Sequence, residues 1–179
     1  MQHLQRLSVG FNNLGSGTVD EMDFLNSLEH STVIFLSETR LRQCDSGVVR
    51  SKLGFDNCFT VDMLFWLNEV DVTIMSFTKG HIDATMKVNG GQVWRFTGFY
   101  EEPNQTARVH SWDLLRRLGG LCGLPWSVIG DFNEILSSSE EQGGGCRSVS
   151  VMNSFRDVED DCKLIDMGFR GHQFTRCNW

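Results

Sequence analysis

Three segments of the sequence end on polar side chains of the kind that carry out acid–base or metal chemistry. These are Glu38 after the apolar run 33–36, Tyr100 at the end of the run 92–100, and Asp131 and Asn133 after the run 126–129. If the three ends lie side by side, two carboxylates, an amide and a phenol meet at one rim of a sheet. Carboxylate oxygens suit Mg²⁺, which is usually completed by water and substrate phosphate. The pattern favours metal-assisted chemistry on a phosphate ester.

Each of these residues also has an ordinary structural interpretation that the sequence leaves open. An acidic residue such as Glu38 at a strand end is often a solvated charge at the rim. Asp131 and Asn133 can form a turn by bonding to their own backbone. A tyrosine such as Tyr100 commonly packs its ring and exposes its hydroxyl at a strand end.

The elements that would position these residues alternate between strand and helix patterns, which predicts an α+β domain. The runs 33–36 and 126–129 are apolar throughout, as is typical of buried strands. Alternation over 69–88 predicts two half-buried strands, and the Asn-Gly pair at 89–90 predicts the turn into a returning strand over 92–100.

Apolar residues at helical spacing predict helices over about 19–28, 109–118 and 150–161. Val109 is the first apolar residue on the predicted buried face of the second helix. In the alternating strand pattern, Asp83 falls on the polar side, opposite the apolar residues that face the core.

Length and composition indicate a single domain over 1–179 with enough apolar residues, 40%, to form a core. Sixteen Lys and Arg against 23 Asp and Glu give a net charge of −7, so the chain does not hold nucleic acid by charge alone. The longest apolar runs fall far short of the roughly 20 residues that span a membrane, and the N-terminus does not resemble a secretory signal. We therefore expect an intracellular protein with no membrane segment.

The spacings of the cysteines and histidines argue against a structural zinc site. Six cysteines include no Cys-x-x-Cys pair. Without a secretory signal, buried free thiols are favoured over disulfides. His30, His81 and His110 lie at neither ligand nor triad spacing, so we interpret them as surface or strand-pairing residues.

Several motifs, in this order along the chain, resemble the endonuclease/exonuclease/phosphatase superfamily. They are Ser37-Glu38-Thr39-Arg40, the segment 94–100 with Pro103, and the segment 125–136 around Gly130-Asp131-Phe132-Asn133. Further similarity is to the nuclease domain that precedes reverse transcriptase in plant non-LTR (LINE-type) retrotransposons. It rests on Gly143-Gly144, Gly168-Phe169-Arg170-Gly171 and Phe174-Thr175. The resemblance covers nearly the whole chain, from about residue 9 to residue 179.

The resemblance implies a four-layer α/β sandwich, with two mixed β-sheets packed face to face and helices outside, incomplete at the C-terminus. It also implies Mg²⁺-dependent (or Mn²⁺-dependent) hydrolysis of phosphodiesters. Glu38 would bind the metal, supported by Asn12. Asp131 would orient or deprotonate the attacking water, Asn133 would hold a phosphate oxygen, and Tyr100 would contact the phosphate or assist the metal site.

The implied substrate is DNA, which would place the protein in the nucleus, and no stable protein partner is indicated. Members of the superfamily complete their site with a C-terminal Ser-Asp-His segment, which this sequence does not reach. We therefore interpret the chain as a retroelement-derived endonuclease fragment with weak or no hydrolase activity alone. Two alternatives remain: a catalytically inactive remnant or binding protein, and a phosphatase that acts on a small phosphoester.

Overall fold

The computed structural model describes residues 3–4, 32–36, 46–60, 63–100, 108–121, 123–140 and 147–166. Within these ranges the chain forms strands β1 to β8 and helices α1 to α3. In chain order they are β1 (His3–Leu4), β2 (Val33–Phe35), α1 (Ser46–Leu53), β3 (Asn57–Phe59), β4 (Leu64–Trp66), β5 (Val70–Thr78), β6 (His81–Val88), β7 (Trp94–Tyr100), α2 (Arg108–Gly119), β8 (Trp126–Asp131) and α3 (Val149–Cys162). The helix predicted over 19–28 lies outside the described residues.

The strands form two sheets. One has the order β1-β8-β7-β6-β5 and is mixed, because β1, β8 and β7 run parallel whereas β6 is antiparallel to both β7 and β5. The other has the order β2-β4-β3 and is antiparallel throughout the strands described. The predicted α+β sandwich is confirmed.

Three apolar clusters fill the spaces between four layers. Between α1 and the three-stranded sheet lie Ile34, Leu36, Phe55, Met63 and Phe65. Between the two sheets lie Phe35, Leu64, Val70, Ile82, Ala84, Met86 and Phe96. Between the five-stranded sheet and α2 and α3 lie Phe99, Trp112, Leu115, Leu118, Trp126, Val128, Phe132, Phe155, Val158, Cys162 and Leu164. The layers are therefore α1, three strands, five strands, and the α2–α3 pair.

The predicted hairpin is present between β6 and β7. Asn89 (φ 45°) and Gly90 (φ 73°) both adopt left-handed backbone angles, the combination that a type I′ turn requires. Gly91 N–H donates to the Val88 carbonyl at 2.8 Å and closes the turn. The antiparallel register that follows pairs Met86 with Trp94.

The burial of two side chains is the reverse of what the sequence pattern predicts. Val109 is 52% exposed, and Arg108 beside it is buried instead. Asp83, expected on a polar face, is 1% exposed. Both buried groups are charged and each has a buried partner of opposite charge, described below. A hydrophobic pattern cannot reveal such a pair, because it scores each residue alone.

Gly98 of β7 sets how closely the two sheets approach. The Phe35 ring of β2 lies against it, and a methyl group on Gly98 would overlap that ring. Phe35 also packs edge-on against Phe96, with ring centroids 6.2 Å apart. This contact fixes the carboxyl end of β2 over the carboxyl half of β7.

Two further features bear on the sequence predictions. Of the described cysteines, Cys58 and Cys162 are both free. Burial raises the pKa of the Cys162 thiol to about 11.

In the described part of the chain, no helix has the length and apolar character needed to cross a membrane.

Candidate functional site at the strand rim

Tyr100 and Asp131 are neighbours at one rim of the five-stranded sheet. They are Cα partners in the register of the parallel strands β7 and β8, and each is the last residue of its strand. Carboxyl ends of parallel strands meet at the same edge, which is where open α/β sheets commonly bind ligands. Two sites predicted separately from the sequence are therefore brought together.

Gly130 allows β8 to approach β7 closely just before this rim. Its partner in the register is Phe99, and a methyl group on Gly130 would overlap the Phe99 carbonyl oxygen. Because that obstacle is backbone, no side-chain movement relieves it. The glycine before Asp131 is therefore required by the packing of the two strands.

The residues after β8 are held in place on both sides of Asn133. Phe132 is buried, and its ring stacks on Phe99 at 5.3 Å and contacts Phe155 at 5.6 Å between centroids. Asn133 itself has a left-handed backbone (φ 47°), which asparagine tolerates better than most residues. Arg147 Nη1 donates to its carbonyl oxygen at 3.2 Å. The backbone at Asn133 is thereby fixed in a conformation that a regular strand would not give.

Glu134 is a buried carboxylate next to Asn133 that the sequence analysis did not identify. Arg108 Nη1 donates to its Oε2 at 2.7 Å, and the side chains are only 8% and 0% exposed. The Ile135 N–H donates to Oε1 at 3.1 Å, and Arg147 lies 3.8 Å from the same oxygen. Glu134 thus ties the start of α2 and the start of the α3 segment to the loop that carries Asn133.

A second buried ion pair anchors the opposite ends of the same strands. Arg95 Nε and Nη2 donate to the two carboxylate oxygens of Asp83 at 2.8 and 3.0 Å. Arg95 Nη1 also donates to the Leu118 carbonyl in the last turn of α2. Thr97 Oγ1 donates to Asp83 at 2.7 Å and accepts from Trp126 Nε1 at 2.8 Å. The network links β6, β7, β8 and α2.

On the other side of Tyr100 lies the β5–β6 turn. The Tyr100 N–H donates to the Gly80 carbonyl at 2.8 Å, so this turn belongs to the same rim. His81, the next residue, is buried and hydrogen-bonds with Ser76 Oγ and Thr78 Oγ1. Burial lowers the pKa of His81, and the nearby cations Arg117 and Arg95 lower it further against the opposing effect of Asp83. Strand pairing was the correct alternative for His81, because it pairs with Phe99.

The remaining predicted site residues fall outside the described part of the chain. They are Glu38 and Asn12; for Asp131 the backbone is described and the side chain is not. Leu36, two residues before Glu38, is described, and its N–H donates to the Met63 carbonyl at 2.9 Å. Among the described residues, no group of three or more His, Cys, Asp or Glu could hold a metal ion.

The rim carries Tyr100, Asp131 and Asn133 on neighbouring backbone positions, and Arg108 and Arg147 both contact the adjacent Glu134. Such a set can orient a water molecule and hold an anionic oxygen. A search of known protein-family models and of curated proteins finds no match to this sequence.

Proposed function

We propose that this chain is a metal-dependent phosphodiester hydrolase of the endonuclease/exonuclease/phosphatase type, acting on DNA as an endonuclease. The observation that supports the proposal most is the register pair Tyr100–Asp131, followed within two residues by the fixed backbone of Asn133. The same residues carry the sequence resemblance to that superfamily. The strand register and the sequence resemblance therefore concern the same rim of the five-stranded sheet.

The donor chemistry of the rim fits Mg²⁺ or Mn²⁺. Oxygen donors dominate it, and His81, the histidine next to the β5–β6 turn, has both ring nitrogens engaged by hydroxyl groups. Glu38 would hold the ion, with Asn12 in support. When bound, the ion would neutralise charge on the phosphate and so lessen the need for a basic protein.

The chain's own residues would share the remaining tasks. Asp131 would orient the attacking water and take its proton. The Asn133 amide would donate to a phosphate oxygen as charge develops on it. Tyr100 would hold the phosphate from the neighbouring strand through its hydroxyl. Phe132 and Glu134 would contribute by fixing Asn133 between them.

The test is nicking of supercoiled plasmid by the purified chain in Mg²⁺ or Mn²⁺. We expect weak nicking, detected over a long incubation, that EDTA abolishes and that the Asp131→Ala variant lacks. Asp161→Ala, which removes an exposed carboxylate on α3, is the matched control and should nick like the wild type. Nicking by Asp131→Ala at the wild-type rate, or no nicking by the wild type, would overturn the proposal.

A parallel assay separates the DNA substrate from a small phosphoester. The same samples are given an inositol phosphate, and released phosphate is measured. Phosphate release that depends on Asp131, without nicking, would replace DNA with a small phosphoester as the substrate.

A further inference from the structure

Lys79 occupies a place on the candidate rim that no sequence motif singles out. It lies in the two-residue turn between β5 and β6, beside Gly80. The Gly80 carbonyl oxygen accepts a hydrogen bond from the Tyr100 N–H, and a methyl group on Gly80 would lie 3.2 Å from the Tyr100 carbonyl oxygen. The turn is therefore packed against the end of β7, one position outward from Tyr100 on the side away from Asp131.

The charge of Lys79 is directed to solvent. The residue is exposed, and no ion pair joins it to any other residue in the described ranges. Strand spacing of about 4.8 Å places the Gly80 backbone roughly 10 Å from that of Asp131, because β7 lies between them. A lysine side chain at this point can reach an anion bound beside the Tyr100–Asp131 pair.

A second cation lies beside Asn133, two residues after Asp131. Arg147 contacts the Asn133 carbonyl, and its side chain is 36% exposed. The rim thus has an exposed cation in the β5–β6 turn and a second cation, Arg147, that is paired with Glu134, in a chain whose net charge is −7. An exposed cation beside a phosphate site in an acidic protein suits the charge of a nucleic-acid backbone.

We propose that Lys79 binds a backbone phosphate of the DNA strand that crosses this rim. This inference rests on the function proposed above and adds the path of the substrate. The Gly80 backbone lies roughly 10 Å from that of Asp131, so the phosphate that Lys79 contacts lies beside the one bound at the Tyr100–Asp131 pair. Lys79 therefore positions the DNA and takes no part in the chemical step.

The test is the salt dependence of binding to a fluorescent 20-base-pair duplex, followed by anisotropy in Mg²⁺, with every protein carrying Asp131→Asn to prevent cleavage. The variants are Lys79→Gln and Lys87→Gln. Lys87 is six residues along β6 from His81, about 20 Å from the rim, and its substitution removes the same charge. Lys79→Gln should lose one phosphate contact, so the plot of log binding constant against log salt concentration should become less steep by about 0.9. Lys87→Gln should leave this slope unchanged.

The possible outcomes separate this inference from the proposed function. A reduced slope for Lys79→Gln, with Lys87→Gln at the wild-type slope, supports a phosphate contact at Lys79. Equal slopes for both variants, with the wild type still nicking plasmid, overturn the inference and leave the proposed function standing. Absence of DNA binding, with the wild type still nicking plasmid, overturns the inference alone. Absence of both DNA binding and nicking overturns both claims.

Discussion

Arg95 and Asp83 form a bidentate ion pair that is almost completely buried beneath α2. The pair lies at the amino-terminal part of β7, and the Arg95 guanidinium lies 5.0 Å from the centre of the Trp126 ring at the start of β8. It therefore fixes β6, β7 and β8 relative to one another. Since that register also pairs Tyr100 with Asp131, the network supports the candidate site from the far end of the strands.

Removing one partner of this pair should destabilise the protein strongly. We expect Asp83→Ala to lower the free energy of unfolding by about 3–5 kcal/mol, because Arg95 would be left as an uncompensated buried charge. Asp161→Ala is the control: its bond to Arg116 is exposed and should contribute less than about 1 kcal/mol. Urea unfolding measures both. Similar unfolding midpoints for the two variants would contradict the account.

The contact between Gly98 and Phe35 gives a second prediction. Gly98→Ala should cost about 1–3 kcal/mol, because the added methyl group overlaps the Phe35 ring between the sheets. Phe35→Leu provides space, so the double variant should be more stable than the sum of the two single changes. Thermal unfolding of the four proteins tests this. Strictly additive effects would show that the residues do not meet.

The sequence predicted well those parts of the fold that depend on periodicity and turn chemistry. The β5–β6–β7 strands, the Asn89–Gly90 turn and helices α2 and α3 follow from apolar spacing and from residues with special backbone angles. It did not predict α1, which has only two apolar side chains, Val49 and Leu53, packed against the neighbouring sheet.

The sequence predicted some residues of the candidate site and missed others. Tyr100, Asp131 and Asn133 stand out because polar residues end apolar runs. Glu134 did not stand out, because its role depends on Arg108 and Arg147, which lie 26 residues before and 13 residues after it in the chain. Lys79 joins the rim only through the fold, by way of Gly80. Contacts between distant segments are invisible to a pattern read along one segment.

The environment of His81 predicts a pH dependence of stability. Because the pKa of His81 is lowered in the folded state, the unfolded chain binds the proton more readily. The stability that His81 contributes should be complete above its ordinary value of 6.5 and decline as the pH falls below it. Urea unfolding of wild type and His81→Gln at pH 8 and pH 5 measures this. An advantage of the wild type that stays constant or grows at pH 5 would contradict it.

The buried thiol of Cys162 should be chemically inert in the folded protein. With a pKa of about 11, about one molecule in a thousand carries the thiolate at pH 8. Iodoacetamide pulses followed by peptide mass mapping should show Cys162 reacting at least about tenfold more slowly than the partly exposed Cys58. In urea the difference should vanish. Equal native rates would contradict the burial of Cys162.

The most direct test of the central claim compares activity and folding in one substitution, Asp131→Asn. It keeps the size of the side chain and removes the carboxylate charge. Since the residue ends its strand at the rim, we expect a melting temperature near that of the wild type and a loss of Mg²⁺-dependent plasmid nicking by at least about 100-fold. Nicking at the wild-type rate by a folded Asp131→Asn protein would contradict the claim that this rim is the hydrolytic site.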